Sequence, residues 1–124
     1  MYKVLVFGIT ENPGGVEAFL VNYYRKIDRT KIQFDFLCNT HNKVAYENEL
    51  KSLGGQVIHI AMRSKEPIKY RQELKQFMEQ HASEYQAVWV NVCSLGNIDY
   101  LKVAKKYGIQ KRIIHSHNSQ NMDL

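Results

Sequence analysis

The chain has 124 residues, 44% of them hydrophobic and 11% aromatic, enough for one globular domain with a true core. No apolar run nears the ~20 residues that a membrane-crossing helix requires, and no charged, then apolar, then small-residue leader opens the sequence. The net charge of +5 suits phosphate ligands or an anionic lipid surface, while no nucleic-acid-binding motif accompanies it.

In chain order, Val4 to Phe7 is an apolar run that predicts a strand over 2–7. Gly8 follows, then a loop that ends in Gly14-Gly15-Val16-Glu17. Val16, Phe19, Leu20, Tyr23 and Ile27 recur at helical spacing and predict a helix over 15–27 with these side chains inward. Alternation from Ile32 to Cys38 predicts a second strand, with Asp35 facing away from Phe34 and Phe36 and not placed as a ribose-binding acid. A helix over 45–53, with Tyr46, Leu50 and Leu53 on one face, is closed by Gly54-Gly55. A third strand covers 56–60.

Pro67 fits the first turn of a helix over 65–81, whose inner face is Tyr70, Leu74, Phe77, Met78 and His81. Residues 87–92, with Trp89, form a fourth strand. A helix over 97–107 turns Ile98, Leu101 and Ala104 inward and stops at Gly108. A fifth strand over 111–114 runs into His115-Ser116-His117-Asn118-Ser119 and a polar tail. Strict strand–helix alternation implies an α/β domain, residues 1–124, with a parallel sheet of about five strands and helices on both faces. Right-handed crossovers narrow the topology to a Rossmann-like or flavodoxin-like sheet.

A strand, a glycine pair and a helix N-terminus make a corner suited to an anionic ligand, because free amides and the helix dipole point outward and glycine lets the ligand approach. The same pair also serves as an ordinary tight turn. Ligands of open parallel sheets lie beyond the carboxyl ends of the strands. Those ends carry Gly14 and Gly15, then Asn39, Thr40 and His41, then Met62 and Arg63, then Asn91, Cys93 and Ser94, and finally residues 115–119. The His-Ser-His-Asn-Ser exit offers donors and acceptors for a hydroxyl-rich ligand such as a sugar, or forms a polar strand end. His115 and His117 share a side of the strand, and no carboxylate or thiolate nearby completes a metal site. Cys38 and Cys93 lie far apart without C-x-x-C spacing and read as reduced thiols of a cytoplasmic protein. No Ser-His-Asp set, P-loop or dinucleotide G-x-G-x-x-G spacing is present. A phosphorylated receiver would need acidic residues after the first strand, where this chain has Phe7-Gly8-Ile9. Basic residues gather from Arg63 to Lys75 and from Lys102 to Arg112, with acidic residues interspersed.

The first strand with Gly14-Gly15-Val16-Glu17, the Tyr24-Arg25-Lys26-Ile27-Asp28 helix end, the Phe34-Asp35-Phe36-Leu37 strand, the Leu53-Gly54-Gly55 turn and the His115-Ser116-His117-Asn118-Ser119 exit occur in this order. Together they resemble the N-terminal domain of family-four retaining glycosyltransferases of the GT-B fold, nearest to bacterial enzymes of capsular and exopolysaccharide assembly. The resemblance covers essentially the whole chain.

It implies an acceptor-side domain facing a second domain that holds a nucleotide-sugar. Gly14 and Gly15 would approach the donor diphosphate. His117 would contact the transferred sugar as the catalytic residue, and His115, Asn118 and Ser119 would line that pocket. Glu17 is expected to organise the loop. Transfer would retain configuration and need no metal or other cofactor, with a glycan or lipid-linked acceptor. The segment from Arg63 to Lys75 would touch the inner face of the membrane. The donor domain and its glutamate pair fall outside these residues, so the resemblance implies that they are inactive alone. Where the family often carries a histidine near the end of strand four, this chain has Asn91 and Cys93. The other reading of the same sheet is a non-catalytic flavodoxin-like binding or regulatory module.

Overall fold

A computed structural model describes residues 1–92 and 98–116, with Val92 in its backbone only. The elements run β1 (Tyr2–Phe7), α1 (Gly15–Lys26), β2 (Ile32–Cys38), α2 (Glu47–Ser52), β3 (Gln56–His59), α3 (Pro67–His81), β4 (Ala87–Val92), α4 (Ile98–Lys106) and β5 (Lys111–Ser116). The five strands are parallel, in the order β3-β2-β1-β4-β5. This is the Rossmann order, whereas a flavodoxin-like sheet runs 2-1-3-4-5. β1 lies at the centre, with Val4 beside Phe34 on one side and Ala87 on the other. The winding reverses between β1 and β4, and ligand crevices open at that kind of switch.

Helices cover both faces. Leu20, Val21 and Tyr24 of α1 and Leu50 of α2 pack with Val4, Val6, Phe34, Phe36 and Trp89. On the other face Tyr70, Leu74 and Met78 of α3 and Tyr100 and Ala104 of α4 pack with Leu5, Phe7, Leu37, Val88 and Val90. Burying one such large side chain is worth about 1.5–3 kcal/mol, so the two layers dominate the fold's stability. Among the described residues, no helix is long and apolar enough to cross a membrane.

The structure corrects several local expectations. Tyr24, not Tyr23, forms the buried stripe of α1. It lies one helical turn after Leu20, while Tyr23 is 45% exposed on the flank. In α4 the buried pair is Tyr100 and Ala104, and Ile98 faces out. α2 begins only at Glu47, because Tyr46 takes the left-handed conformation at φ +61° and cannot join the helix. β5 continues to Ser116, so His115 and Ser116 are strand residues paired with Asn91 and Val92. β5 is an edge strand, and Ile113 and Ile114 are both exposed.

The amino-terminal end of the sheet is closed by Asp35, which is fully buried. Its carboxylate accepts from the Tyr85 hydroxyl at 2.6 Å and the Gln33 amide at 2.6 Å. Lys3 Nζ stands 3.6 Å away and also reaches Glu84 at 3.0 Å. A buried carboxylate persists only with such partners.

Candidate functional site

The cleft at the carboxyl ends of the strands has a volume of about 670 Å³, within the usual range for ligand sites of roughly 300–1,000 Å³. The loop after β1, from Gly8 to Gly15, and the first turn of α1 form one wall, β2 and its exit supply Leu37, Asn39 and Thr40, and β4 supplies Asn91. Met62 and Ser64 come from the segment after β3, and Tyr100 from α4.

Gly8 is there because nothing larger fits. Its φ is +127°, and a Cβ would lie 2.6 Å from the Asn91 carbonyl oxygen. That close approach brings β1 and β4 together at the switch point. The Asn91 side-chain amide donates to the Phe7 carbonyl at 3.2 Å and ties the two strand ends.

Glu17 organises the glycine loop. One oxygen accepts from the Thr10 amide at 2.9 Å and the Thr10 hydroxyl at 2.6 Å, and the other accepts from the Gly14 amide at 3.2 Å. This is the carboxylate half of a capping box. It draws the Gly14 N–H inward. The amides of Gly15 and Val16 have no carbonyl four residues back within the helix. Gly15 has open space where a side chain would be, with nothing within 4 Å of an added Cβ. Packing therefore does not require glycine at position 15, and its missing side chain leaves the helix N-terminus open to the cleft.

The β2 exit is held by two chains of hydrogen bonds. The Thr40 hydroxyl donates to Glu11 Oε1 at 2.6 Å, and Asn42 Nδ2 donates to the same oxygen at 3.1 Å. These bonds, with Lys65 acting from further away, hold the Glu11 carboxyl below its usual range. His59 Nδ1 lies 2.8 Å from the Thr40 carbonyl oxygen, which can only accept, so Nδ1 carries the proton of that bond. His59 Nε2 faces Glu47 at 3.1 Å. Burial works against the charge on Glu47, but bonds from Lys51, Val44 and His59 outweigh it and keep its carboxyl below the usual range. Asn39 Nδ2 donates to the Tyr100 hydroxyl at 2.8 Å, and burial raises that phenol above its usual value.

Of the residues singled out in the sequence, Gly14, Gly15, Asn39, Thr40, Met62 and Asn91 meet in this cleft. His41 lies 3.6 Å from Glu73, and Arg63 donates to Asp99 at 2.9 Å, so both are engaged outside it. His115 stacks on Trp89, with ring centroids 6.2 Å apart, and meets Phe19 edge-on at 5.2 Å. It belongs to the aromatic layer over α1. His117, Asn118, Ser119, Cys93 and Ser94 lie outside the described residues. Burial pushes the Cys38 thiol up to about 12, which leaves it un-ionised at neutral pH. Sequence reasoning missed Glu11, Ser64 and Tyr100. Glu11 carried a weak signal, a lone acid between strand one and its glycine pair. Tyr100 carried none, since helical spacing favoured Ile98. Among the described residues, no three His, Cys, Asp or Glu side chains are grouped to hold a metal ion.

A parallel sheet in this order, with a cleft at its switch point, has the architecture of the Rossmann-like α/β domains. The chain is 30% identical over 109 residues to the Bacillus subtilis (strain 168) protein described as "Putative glycosyltransferase EpsF". The match covers 87% of this chain and 28% of EpsF, so the chain spans less than a third of that relative's length. No protein-family model matches the chain, and no solved structure matches it significantly. The similarity to EpsF supports a glycosyltransferase-related role.

Proposed function

We propose that these residues form the acceptor-side domain of a retaining glycosyltransferase with two facing Rossmann-like domains, the GT-B arrangement. It moves a sugar from a nucleotide-sugar to a glycan or lipid-linked acceptor in polysaccharide assembly, at the inner face of the cytoplasmic membrane. The observation that carries this reading is the open cleft at the switch point, walled by the Gly14–Gly15 loop, in a chain similar to EpsF.

The acceptor occupies the cleft. The donor comes from the facing domain, its diphosphate near Gly14 and Gly15, where the first-turn amides of α1 favour the charge that develops as the bond to phosphate breaks. No metal is needed for that step. His117 contacts the transferred sugar, with Asn118 and Ser119 beside it, while His115, packed against Trp89 and Phe19, supports the strand that leads to them. The donor-binding half supplies the remaining donor contacts, so these residues bind but do not transfer by themselves. The test grafts this chain in place of the matching segment of EpsF. It assays labelled-sugar transfer from a nucleotide-sugar panel to membrane lipid extract. Loss of one catalytic contact is expected to lower transfer roughly 100-fold or more in His117→Ala with an unchanged circular dichroism spectrum. Wild-type transfer by that variant removes the assignment, and a graft inert with every donor removes the transferase reading.

The membrane contact has structural support on the α3–α4 flank. Arg71 and Lys75 of α3 and Lys102 and Lys106 of α4 surround one groove of about 290 Å³. Its acid, Asp99, is engaged by Arg63. The basic segment from Arg63 to Lys75 thus joins the second basic segment in one patch, which suits an anionic lipid surface at about 1 kcal/mol per cation. Sedimentation with anionic vesicles is expected to fall sharply in Arg71→Glu/Lys102→Glu. Unchanged sedimentation removes the contact.

A further inference from the structure

The cleft sorts its polar groups by whether they are already used. Both oxygens of Glu17 are occupied by the glycine loop. The Asn39 amide is turned to Tyr100 and the Asn91 amide to Phe7. Glu11 differs. Its two hydrogen bonds, from Thr40 and Asn42, both fall on Oε1, and among the described residues no donor reaches Oε2. The side chain is exposed at the cleft wall, yet it is held in place, because Thr40 is buried and its carbonyl is in turn bonded by His59. The bonds from Thr40 and Asn42 also keep the carboxyl ionised. No lysine, arginine or histidine lines the cleft among the described residues.

We infer that Glu11 is a specificity-determining residue. It admits a neutral, hydroxyl-bearing sugar to the cleft and turns away one that carries a carboxylate or phosphate. This deepens the acceptor-side reading and rests on it. A sugar hydroxyl donates to Glu11 Oε2 in a charge-assisted bond, about twice as strong as a neutral one. An anionic substituent in the same place meets a like charge, and among the described residues no cation lines the cleft, Lys65 acting on Glu11 only from further away. The glycine corner alone suggested an anionic ligand, whereas the assembled wall is acidic. Any phosphate is therefore confined to the Gly15 end of the loop.

Proton–nitrogen NMR titrations of the 124-residue chain test this with matched probes: methyl glucoside against methyl glucuronide, methyl galactoside against methyl galacturonide, and inorganic pyrophosphate. The neutral glycosides are expected to shift the amides of Thr10, Glu11, Asn39 and Thr40. They should bind roughly tenfold more tightly than their uronates. Glu11→Gln keeps an oxygen for Thr40 and Asn42 but removes the charge, and is expected to bring each pair within roughly twofold. Equal binding of uronates by the wild type, a preference that survives Glu11→Gln, or no cleft shift with any glycoside overturns the inference. Pyrophosphate shifts at Gly15 and Val16 with silent glycosides overturn it while leaving the transferase reading intact. An inert EpsF graft with normal glycoside discrimination sinks the transferase reading alone.

Discussion

Asp35 and Glu11 sit at opposite ends of the sheet and teach how to separate a structural carboxylate from a recognising one. Asp35 is enclosed, and both of its oxygens meet donors: Gln33 and Gln56 at one, Tyr85 and Lys3 at the other. Glu11 is anchored through one oxygen only and presents the other at a cavity wall. Sequence context does not distinguish them. The difference is whether the protein itself satisfies the group.

The largest expected effect breaks the closed end. Asp35→Ala strands the buried Tyr85 hydroxyl and removes one of the two carboxylates that hold Lys3, and is expected to destabilise the fold by about 3–5 kcal/mol in urea unfolding. Glu11→Gln is expected to stay within about 0.5 kcal/mol of wild type. A comparable loss in both variants would erase the distinction between the two ends.

The glycines of the open end sharpen the same contrast. Gly8→Ala forces a side chain into a positive-φ position against the Asn91 carbonyl. Strain and overpacking together are expected to cost about 2–4 kcal/mol in the same unfolding experiment. Gly15→Ala meets nothing. Its stability should be unchanged or up to about 1 kcal/mol higher, since alanine is the better helix former. Transfer by the EpsF graft should nevertheless fall, because the methyl group occupies the approach to the α1 amides. A stable and fully active Gly15→Ala would mean that position 15 is only a turn.

The sheet was legible because its signals are local. β1, β2 and β4 have the bounds that alternation and apolar runs predict, and Gly54 and Gly108 close their helices with positive φ. The parallel order was legible only to the level of two topologies, since strand order depends on crossovers rather than on any one segment. Inner faces blurred where two similar side chains compete for the stripe, as Tyr23 and Tyr24 do. The start of α2 was hidden because nothing in its composition announces a left-handed tyrosine. The site was legible in its backbone-derived half, Gly14, Gly15, Asn39, Thr40 and Asn91, because strand ends can be counted. Glu11 was not, since its meaning comes from Thr40, 29 positions away, and from Tyr100 and Asn91 closing the cleft around it.

The smallest effect is acid titration, and it separates the two ends once more. The Glu84 carboxyl lies below its usual value because His81 and Lys3 donate to it, and Glu11 lies below its own because of Thr40 and Asn42. A carboxylate with a depressed folded value contributes stability that is present above the unfolded value and lost as pH falls through the folded one. Both losses therefore belong below the ordinary glutamate value of 4.5. Glu84 links α3 to β1 through His81 and Lys3. Protonating it is expected to lower the unfolding midpoint, an effect that Glu84→Gln removes. Protonating Glu11, an exposed group, frees no structural cation, so Glu11→Gln should change the acid limb of stability much less than Glu84→Gln does. Its titration should appear in uronate binding instead, which ought to strengthen as pH drops below 4.5 in the wild type and show no such rise in Glu11→Gln. An acid limb of stability that tracks Glu11 rather than Glu84 would place the structural carboxylate at the open end and reverse the comparison.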